Sequence, residues 1–565
     1  MSEQWFNMVC EYDVAMPMRD GTVLRANVYR PADDGTYPGL LQRTPYGKAG
    51  PGALKMLGRL VREGYVVVSQ DIRGRHASDG TFISMLSEHH TEAEDGYDSV
   101  QWLAQQPYCN GTVGLWGVSY DAWTTWYGAG AQPPALAAIS PWSIPVELRD
   151  LDWTDGSFRP ARRVHWLLNT MAPDLRRRHG MSPPHDKAQA QQIWQDLEQA
   201  QRLGMVPWCR LVDQLPPELA RDFGQWLQEP NRRVWKLDEV HAQVTVPQLN
   251  VCGWFDHCIS IGHLPGMQRC GGSELARRQA KLIVGPWSHA TLGGRRCGPF
   301  DFGPDAEVDV WDLRRRWFDH WLKGIDNGVA DDPAVRYFVM GANQWKSSPC
   351  WPVEVREWRS LYLGDAADHP RWGALVEQPV EREGADEYVY DPHHPVPTLW
   401  DEALVQHASD RTALEHREDI LYYRTPPLTE AVEITGQAEV ELYIASSAVD
   451  TDFFAHLVDE SPDGTAMEIA HGMVRARYRE SFEQETPLEP GAVTMLRIRL
   501  GPTACRFLPG HRIRLEITSS NFPNYDRNHN TGGNDLFESE MTCARQSVFH
   551  GGQRPSRLIL PIVEA

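Results

Sequence analysis

Apolar positions along the chain fall into three successive rhythms. Up to about residue 143, short apolar and β-branched runs alternate with stretches of helical period. Val23 to Pro31 and Tyr37 to Arg43 read as strands, Leu54 to Gly64 as a helix, and Tyr65-Val-Val-Val-Ser-Gln-Asp71 as a near-continuous strand. A run of that kind has no polar face, which suits a parallel sheet covered on both sides. An acidic helix from about Glu92 to Gln105 follows, then the apolar run Val113 to Trp116. Strands and helices alternating at this spacing predict a right-handed, doubly wound α/β domain.

The rhythm changes twice more. From about Ile144 to Val244 the chain is rich in Arg, Gln, Trp and Leu, with helical stretches at Asp186 to Leu203 and Pro216 to Leu227 and few strand signals. This reads as a helical insertion. The α/β pattern resumes at Pro247 to Gly253 and Ala280 to Gly285. A helix from about Val310 to Lys323 carries Leu313, Trp317, Trp321 and Leu322 on one face, and Gly324 stops it. Beyond about Val335 the period becomes two. Val440, Leu442 and Ile444 alternate with polar neighbours, as do Leu496, Ile498 and Leu500, and Ile513, Leu515 and Ile517. Many half-buried strands of this kind predict a β-sandwich or jelly roll. The expected organisation is an α/β core over 1–143 and 245–334, a helical cap over 144–244, and a β domain over 335–565.

Composition narrows the function. A chain of 565 residues exceeds one core, and 41% hydrophobic with 23% charged residues is ordinary for a globular protein. The net charge of −21 argues against nucleic acid or anionic membranes as partners. Arg176-Arg177-Arg178 and Arg314-Arg315-Arg316 read as solvated helix faces. Met1 to Glu11 lacks a basic segment followed by an apolar one, and no stretch approaches 18 apolar residues, so neither signal peptide nor membrane span is expected. The ten cysteines are scattered without a C-x-x-C pair, as reduced thiols in a cytoplasmic protein would be. Cys252 and Cys258 flank His257 at spacings that match no ligand pattern, so no metal is expected.

The candidate chemistry sits at Gly117-Val-Ser-Tyr-Asp121. Val113 to Trp116 is a strand, helix-compatible residues run from Tyr120 to about Gly130, and Ser119 stands on the turn between them. A serine so placed is the nucleophile elbow of α/β-hydrolases, although Asp121 occupies the second glycine position of G-x-S-x-G. A serine nucleophile needs a general base and a group to orient it, in the chain order Ser, Asp or Glu, His. Asp256 and His289 each end an apolar strand, where carboxyl-end loops place functional groups.

With Arg43-Thr-Pro-Tyr-Gly-Lys48, Gly117-Val-Ser-Tyr120, Gly253-Trp-Phe-Asp256 and Gly285-Pro-Trp-Ser-His289 in this order, the sequence resembles the cocaine esterase and X-Pro dipeptidyl-peptidase group of serine hydrolases, which includes the α-amino acid ester hydrolases. Asp71-Ile-Arg-Gly74, Arg316 to Gly324, Gly510 to Glu516 and Ser519 to Pro523 support it. The resemblance spans nearly all of the chain outside the helical insertion. It implies an α/β-hydrolase core, an inserted helical cap and a C-terminal jelly roll. It also implies a catalytic triad of Ser119, Asp256 and His289, with the Tyr46 hydroxyl and the Tyr120 backbone N–H as oxyanion donors. A phenol keeps its proton at neutral pH and can donate to an alkoxide.

The expected reaction is acyl transfer from an ester or amide to water, without cofactor, on a small-molecule substrate. Trp153, Trp166, Trp254 and Phe255 are candidates to line the acyl pocket, with a core role as the alternative. Members that bind a substrate ammonium carry acids just after the triad Asp, whereas here His257, Cys258 and Ile259 follow. Neutral, preferably aromatic, acyl groups are therefore expected, with Asp121, Asp152 or Asp155 as other sources of negative charge. Other readings are an X-Pro dipeptidyl-peptidase, an α-amino acid ester hydrolase or acylase, and a non-catalytic carbohydrate-binding protein. A homo-oligomer stays open.

Overall fold

The near-continuous apolar runs become the middle strands of one sheet. The computed structural model describes residues 7–48, 54–195, 207–230, 233–257, 259–365, 372–400 and 406–564. Its first part runs β1 (Met8–Pro17), β2 (Val23–Pro31), β3 (Tyr37–Thr44), α1 (Leu54–Arg62), β4 (Val66–Asp71), α2 (Glu92–Ala104), β5 (Cys109–Val118), α3 (Tyr120–Gly130) and β6 (Leu136–Trp142). The sheet order is β1-β2-β4-β3-β5-β6, continued by strands Gln248–Phe255, Ala280–Ser288, Val335–Val339 and Gln344–Ser348. Pairing is parallel from β4 across to Val335–Val339 and antiparallel at both ends. Every residue of β4 and of Gln248–Phe255 is buried, as strands without a polar face require.

Two features of this sheet and the helix packed on it depart from the pattern reading. Strands Val335–Val339 and Gln344–Ser348 extend this first sheet, past the 334 expected as the end of the core. Their alternating pattern suits the edge of a mixed sheet as well as a sandwich, so periodicity could not assign them. In helix Val310–Lys323, Arg314 is buried rather than solvated. Its guanidinium lies 3.7 Å from the Trp142 ring centroid and 4.5 Å from that of Trp116, where aromatic faces stand in for water. The helix otherwise has the expected limits. Asp309 caps its start by accepting from the Trp311 and Asp312 amides, and Gly324, at φ 68°, ends it.

The insertion is helical, with Pro160–His165, Ala172–Arg178, Lys187–Gln195 and Pro217–Gln228 among its helices. Residues 196–203 of the helix expected over Asp186 to Leu203 lie outside the described residues. A small hairpin, Trp153–Thr154 with Ser157–Phe158, turns on Asp155 and Gly156, both at positive φ. The C-terminal strands form the jelly roll. In Arg512–Thr518 the expected half-burial is replaced by burial on both faces, because Arg514 and Glu516 pair with each other at 2.7 Å under a covering segment. That segment supplies Arg411 to Glu516 and Glu415 to Arg514, each at 2.6 Å. Backbone bonds tie the parts together. The Met340 amide donates to Ala504, Ala161 to Pro523, Asp526 to Phe158 and Cys209 to Leu536.

Candidate active site

The elbow is built by one close approach. Ser119 holds φ 62° and ψ −123°, rare for a residue other than glycine, between the end of β5 and the first turn of α3. Its amide donates to the Trp142 carbonyl of β6 at 3.0 Å, and its carbonyl accepts from Ala122 and Trp123. A Cβ on Gly117 would collide with the backbone of Asp121, so the first glycine of the motif is the one the turn requires. The Asp121 side chain itself fills that space, its Cβ 2.5 Å from where a Gly117 Cβ would stand. Asp121 is buried and accepts from Gln42 Nε2 of β3 at 2.5 Å. Burial pushes its carboxyl up to about 7.

The base and its orienter come from neighbouring strands. His289 Nδ1 lies 2.9 Å from Asp256 Oδ1, with the Asp256 side chain wholly buried and that of His289 22% exposed. Asp256 follows strand Gln248–Phe255 and His289 follows Ala280–Ser288, which pair in parallel. Two glycines admit Trp287 between these strand ends. A Cβ on Gly253 would strike the Trp287 backbone and one on Gly285 its ring. The buried Trp287 indole donates to the Ala306 carbonyl at 3.1 Å, fixing the loop that presents His289.

Tyr46 stands beyond β3 with its ring edge-on to Tyr120, centroids 6.3 Å apart. Trp166 Nε1 donates to the Tyr46 hydroxyl at 3.3 Å, and the Trp166 ring stacks on Tyr120. Residues that pattern reading passed over hold this turn. Arg43, buried, bonds Gln70 and Glu92 at 2.8 Å each, and Arg75, also buried, donates from Nε to the Pro45 carbonyl at 3.0 Å. The only signal for Arg75 was its place next to Asp71-Ile-Arg-Gly74. His257, a metal candidate by sequence and one of the residues in place of acids after Asp256, has its ring 4.6 Å from that of His289. Burial, then Arg162, His289, Arg159 and Arg163, drive its pKa well below the ordinary value, so it stays neutral.

The four candidate pocket aromatics separate. Trp166 belongs with Tyr46 and Tyr120. Trp153, Trp254 and Phe255 instead line a cavity of about 390 Å³ shared by cap, core and jelly roll, with Asp256 and His257 in its wall. Trp254 is anchored by its indole to the Phe338 carbonyl at 2.7 Å, and Trp153 packs edge-on to Trp226. Of the acids considered as ammonium partners, Asp121 is under the elbow and Asp152 is bound to Arg162 and Arg163. Asp155 lines the cavity, pushed up to about 7 by burial. Cys258 lies outside the described residues.

Residues 20–291 match the family model of the X-Pro dipeptidyl-peptidase (S15 family), and residues 327–559 match that of the X-Pro dipeptidyl-peptidase C-terminal non-catalytic domain. A cocaine esterase of a Rhodococcus species is 35% identical, with 98% of each chain covered. Among solved structures, an aminopeptidase of a marine sediment Thaumarchaeota archaeon superposes at a TM-score of 0.77 with 26% identity, covering 100% of this chain and 98% of that one. An α-amino acid ester hydrolase does so at 0.77 with 25% identity and the same coverage. No described helix is long and apolar enough to cross a membrane.

Proposed function

The chain belongs to the cocaine esterase and X-Pro dipeptidyl-peptidase family of serine hydrolases, and from that premise we propose that it hydrolyses small neutral esters through an acyl-enzyme on Ser119. The observation that carries this reading is the 2.9 Å bond from His289 to Asp256 at strand ends of the sheet that also carries the strained Ser119 turn. His289 takes the Ser119 proton as Oγ attacks the acyl carbon, and Asp256 fixes the tautomer and stabilises the imidazolium. The Tyr46 hydroxyl and Tyr120 N–H donate to the oxyanion. His289 then protonates the leaving group, and water reverses the sequence with His289 as base.

The acyl preference rests on charge. His257, held neutral, and Ile259 stand where an acid after Asp256 would meet a substrate ammonium, so that segment offers it no carboxylate. Scattered free thiols, found at every described cysteine, support a cytoplasmic location.

The test is turnover of a p-nitrophenyl acyl ester against a Gly-Pro anilide, with fluorophosphonate labelling. Wild type should label and cleave the ester faster. Ser119→Ala should neither label nor turn over while keeping its circular dichroism, because one hydroxyl and no core volume is removed. A Ser119→Ala enzyme retaining a tenth of kcat would place the nucleophile elsewhere. A faster Gly-Pro anilide would make the chain a dipeptidyl-peptidase. A kcat/KM for phenylglycine methyl ester tenfold above that for methyl benzoate would end the neutral-acyl reading.

A further inference from the structure

The loop between jelly-roll strands Arg512–Thr518 and Ala544–His550 contains a histidine whose surroundings do not account for it. His529 is fully buried, and neither ring nitrogen has a hydrogen-bond partner among the described residues. An imidazole left so is costly, and proteins rarely keep one. Its Nδ1 faces two carboxylates, 3.8 Å from Asp535 Oδ1 and 3.8 Å from Glu538 Oε1. The three donor atoms lie within 4.8 Å of one another. That spacing is too long for hydrogen bonds and suits a shared ion. Three atoms at such separations leave a point roughly 2.2–2.5 Å from each, close to the Zn–N and Zn–O lengths of about 2.0–2.2 Å.

Charge points the same way. Asp450, Asp452, Asp526 and Asp535 are buried here with Arg475 and Arg477, while Glu538 and Arg527 stand at the rim. The carboxylates outnumber the guanidiniums, an imbalance that a bound cation would offset. Asp535 gives Oδ2 to Arg475 at 2.8 Å, and its Oδ1 accepts from the His529 amide at 3.0 Å, which holds that oxygen beside the imidazole.

Two other clusters of metal-ligating residue types do not share this feature. In His456, Glu468 and His471, the carboxylate already bonds both imidazoles and Arg411, at 3.0, 2.7 and 2.8 Å. Asp256, His257 and His289 belong to the candidate active site.

We propose that His529, Asp535 and Glu538 bind one divalent transition-metal ion of the Zn²⁺ class, completed by water from the side where Glu538 meets solvent. One nitrogen with two carboxylate oxygens favours such an ion over Ca²⁺, which takes oxygen ligands. The site is structural. The same loop donates the Asp526 amide to Phe158 and accepts at Leu536 from Cys209, both in the cap. Tyr525, just before it, lines the cavity that reaches Asp256. An ion here braces the segment that joins jelly roll to cap.

The experiment is calorimetric titration of the full-length, chelator-stripped protein with Zn²⁺, in a His289→Ala background so that the catalytic cluster cannot contribute. One equivalent should bind and raise the melting temperature, since a ligand of the folded state stabilises it. His529→Gln and Glu538→Gln should each weaken binding by at least about tenfold, and His456→Gln should not. Glu538 lies at the rim, so its substitution tests the site even if His529→Gln fails to fold. No saturable binding, or an equivalent that survives Glu538→Gln or vanishes in His456→Gln, would overturn the assignment.

Discussion

Ser119 and Tyr46 stand under opposite constraints, one strained and one held at its tip. The serine has a left-handed backbone that packing on β6 maintains. The tyrosine is 36% exposed, and its hydroxyl meets Trp166 Nε1. An indole N–H is a donor only, so in that contact the phenol oxygen accepts and does not spend its proton. Tyr46→Phe should therefore lower kcat by roughly 10²–10³ with KM little changed, the usual loss for one oxyanion donor. An unaltered kcat in steady-state assays would return Tyr46 to a packing role. Asp121 makes a different prediction. Its folded pKa, about 7, lies above its ordinary value of 3.8. Between about pH 4 and 7 the unfolded chain has released this proton and the native protein has not, so this group's contribution falls as pH rises and is constant above about 7. Asp121→Asn keeps the shape without the charge. Denaturant unfolding should show the variant gaining on wild type from pH 4 to 7, by on the order of a few kcal/mol, then running parallel. A difference independent of pH would mean that Asp121 is ionised throughout.

At the scale of elements, glycine placement sets the site. Gly117 lets α3 close on β5, and Gly253 and Gly285 let Trp287 enter between the strand ends that carry Asp256 and His289. Gly253→Ala should push the Trp287 backbone away and lengthen the 2.9 Å Asp256–His289 bond. The expected result is a kcat lowered by about 10²-fold or more, as misplacement of catalytic groups costs, and a lower melting temperature. Wild-type kcat with full stability would show that the strand ends yield without disturbing the pair. The strands and helices themselves were readable because their periods differ. The Asp155-Gly156 hairpin carried a signal too, a D-G pair of the kind that favours tight turns. It was overlooked because the surrounding composition is helical. Arg314 could not be placed from the pattern, since its partners Trp116 and Trp142 come from two other elements.

For the whole molecule, the chain beyond residue 334 is part of how the core closes. The Leu282 amide donates to the Ala334 carbonyl, strand Val335–Val339 covers the edge of Ala280–Ser288, and the Trp254 indole ends on Phe338. A fragment ending at residue 334 would bare that strand edge and remove one wall of the 390 Å³ cavity. It should be insoluble or inactive on expression, whereas the full chain should be soluble and cleave the ester. An active, monodisperse 1–334 fragment would show that the α/β part closes by itself.

What the sequence determined alone were the features carried by short stretches: buried strands without polar positions, the serine between strand and helix, and the four motifs in family order. Local period and local turn chemistry act within a few residues, so they survive without a structure. Tertiary structure decided whatever depends on which distant residues meet. It brought His257 against His289 and buried Arg314 among tryptophans. It set Trp254 on Phe338 instead of the Tyr46 cluster, and gathered His529, Asp535 and Glu538 around one point. The physical reason is burial. A side chain's charge, partner and exposure follow from the elements packed over it, and those lie tens to hundreds of residues away.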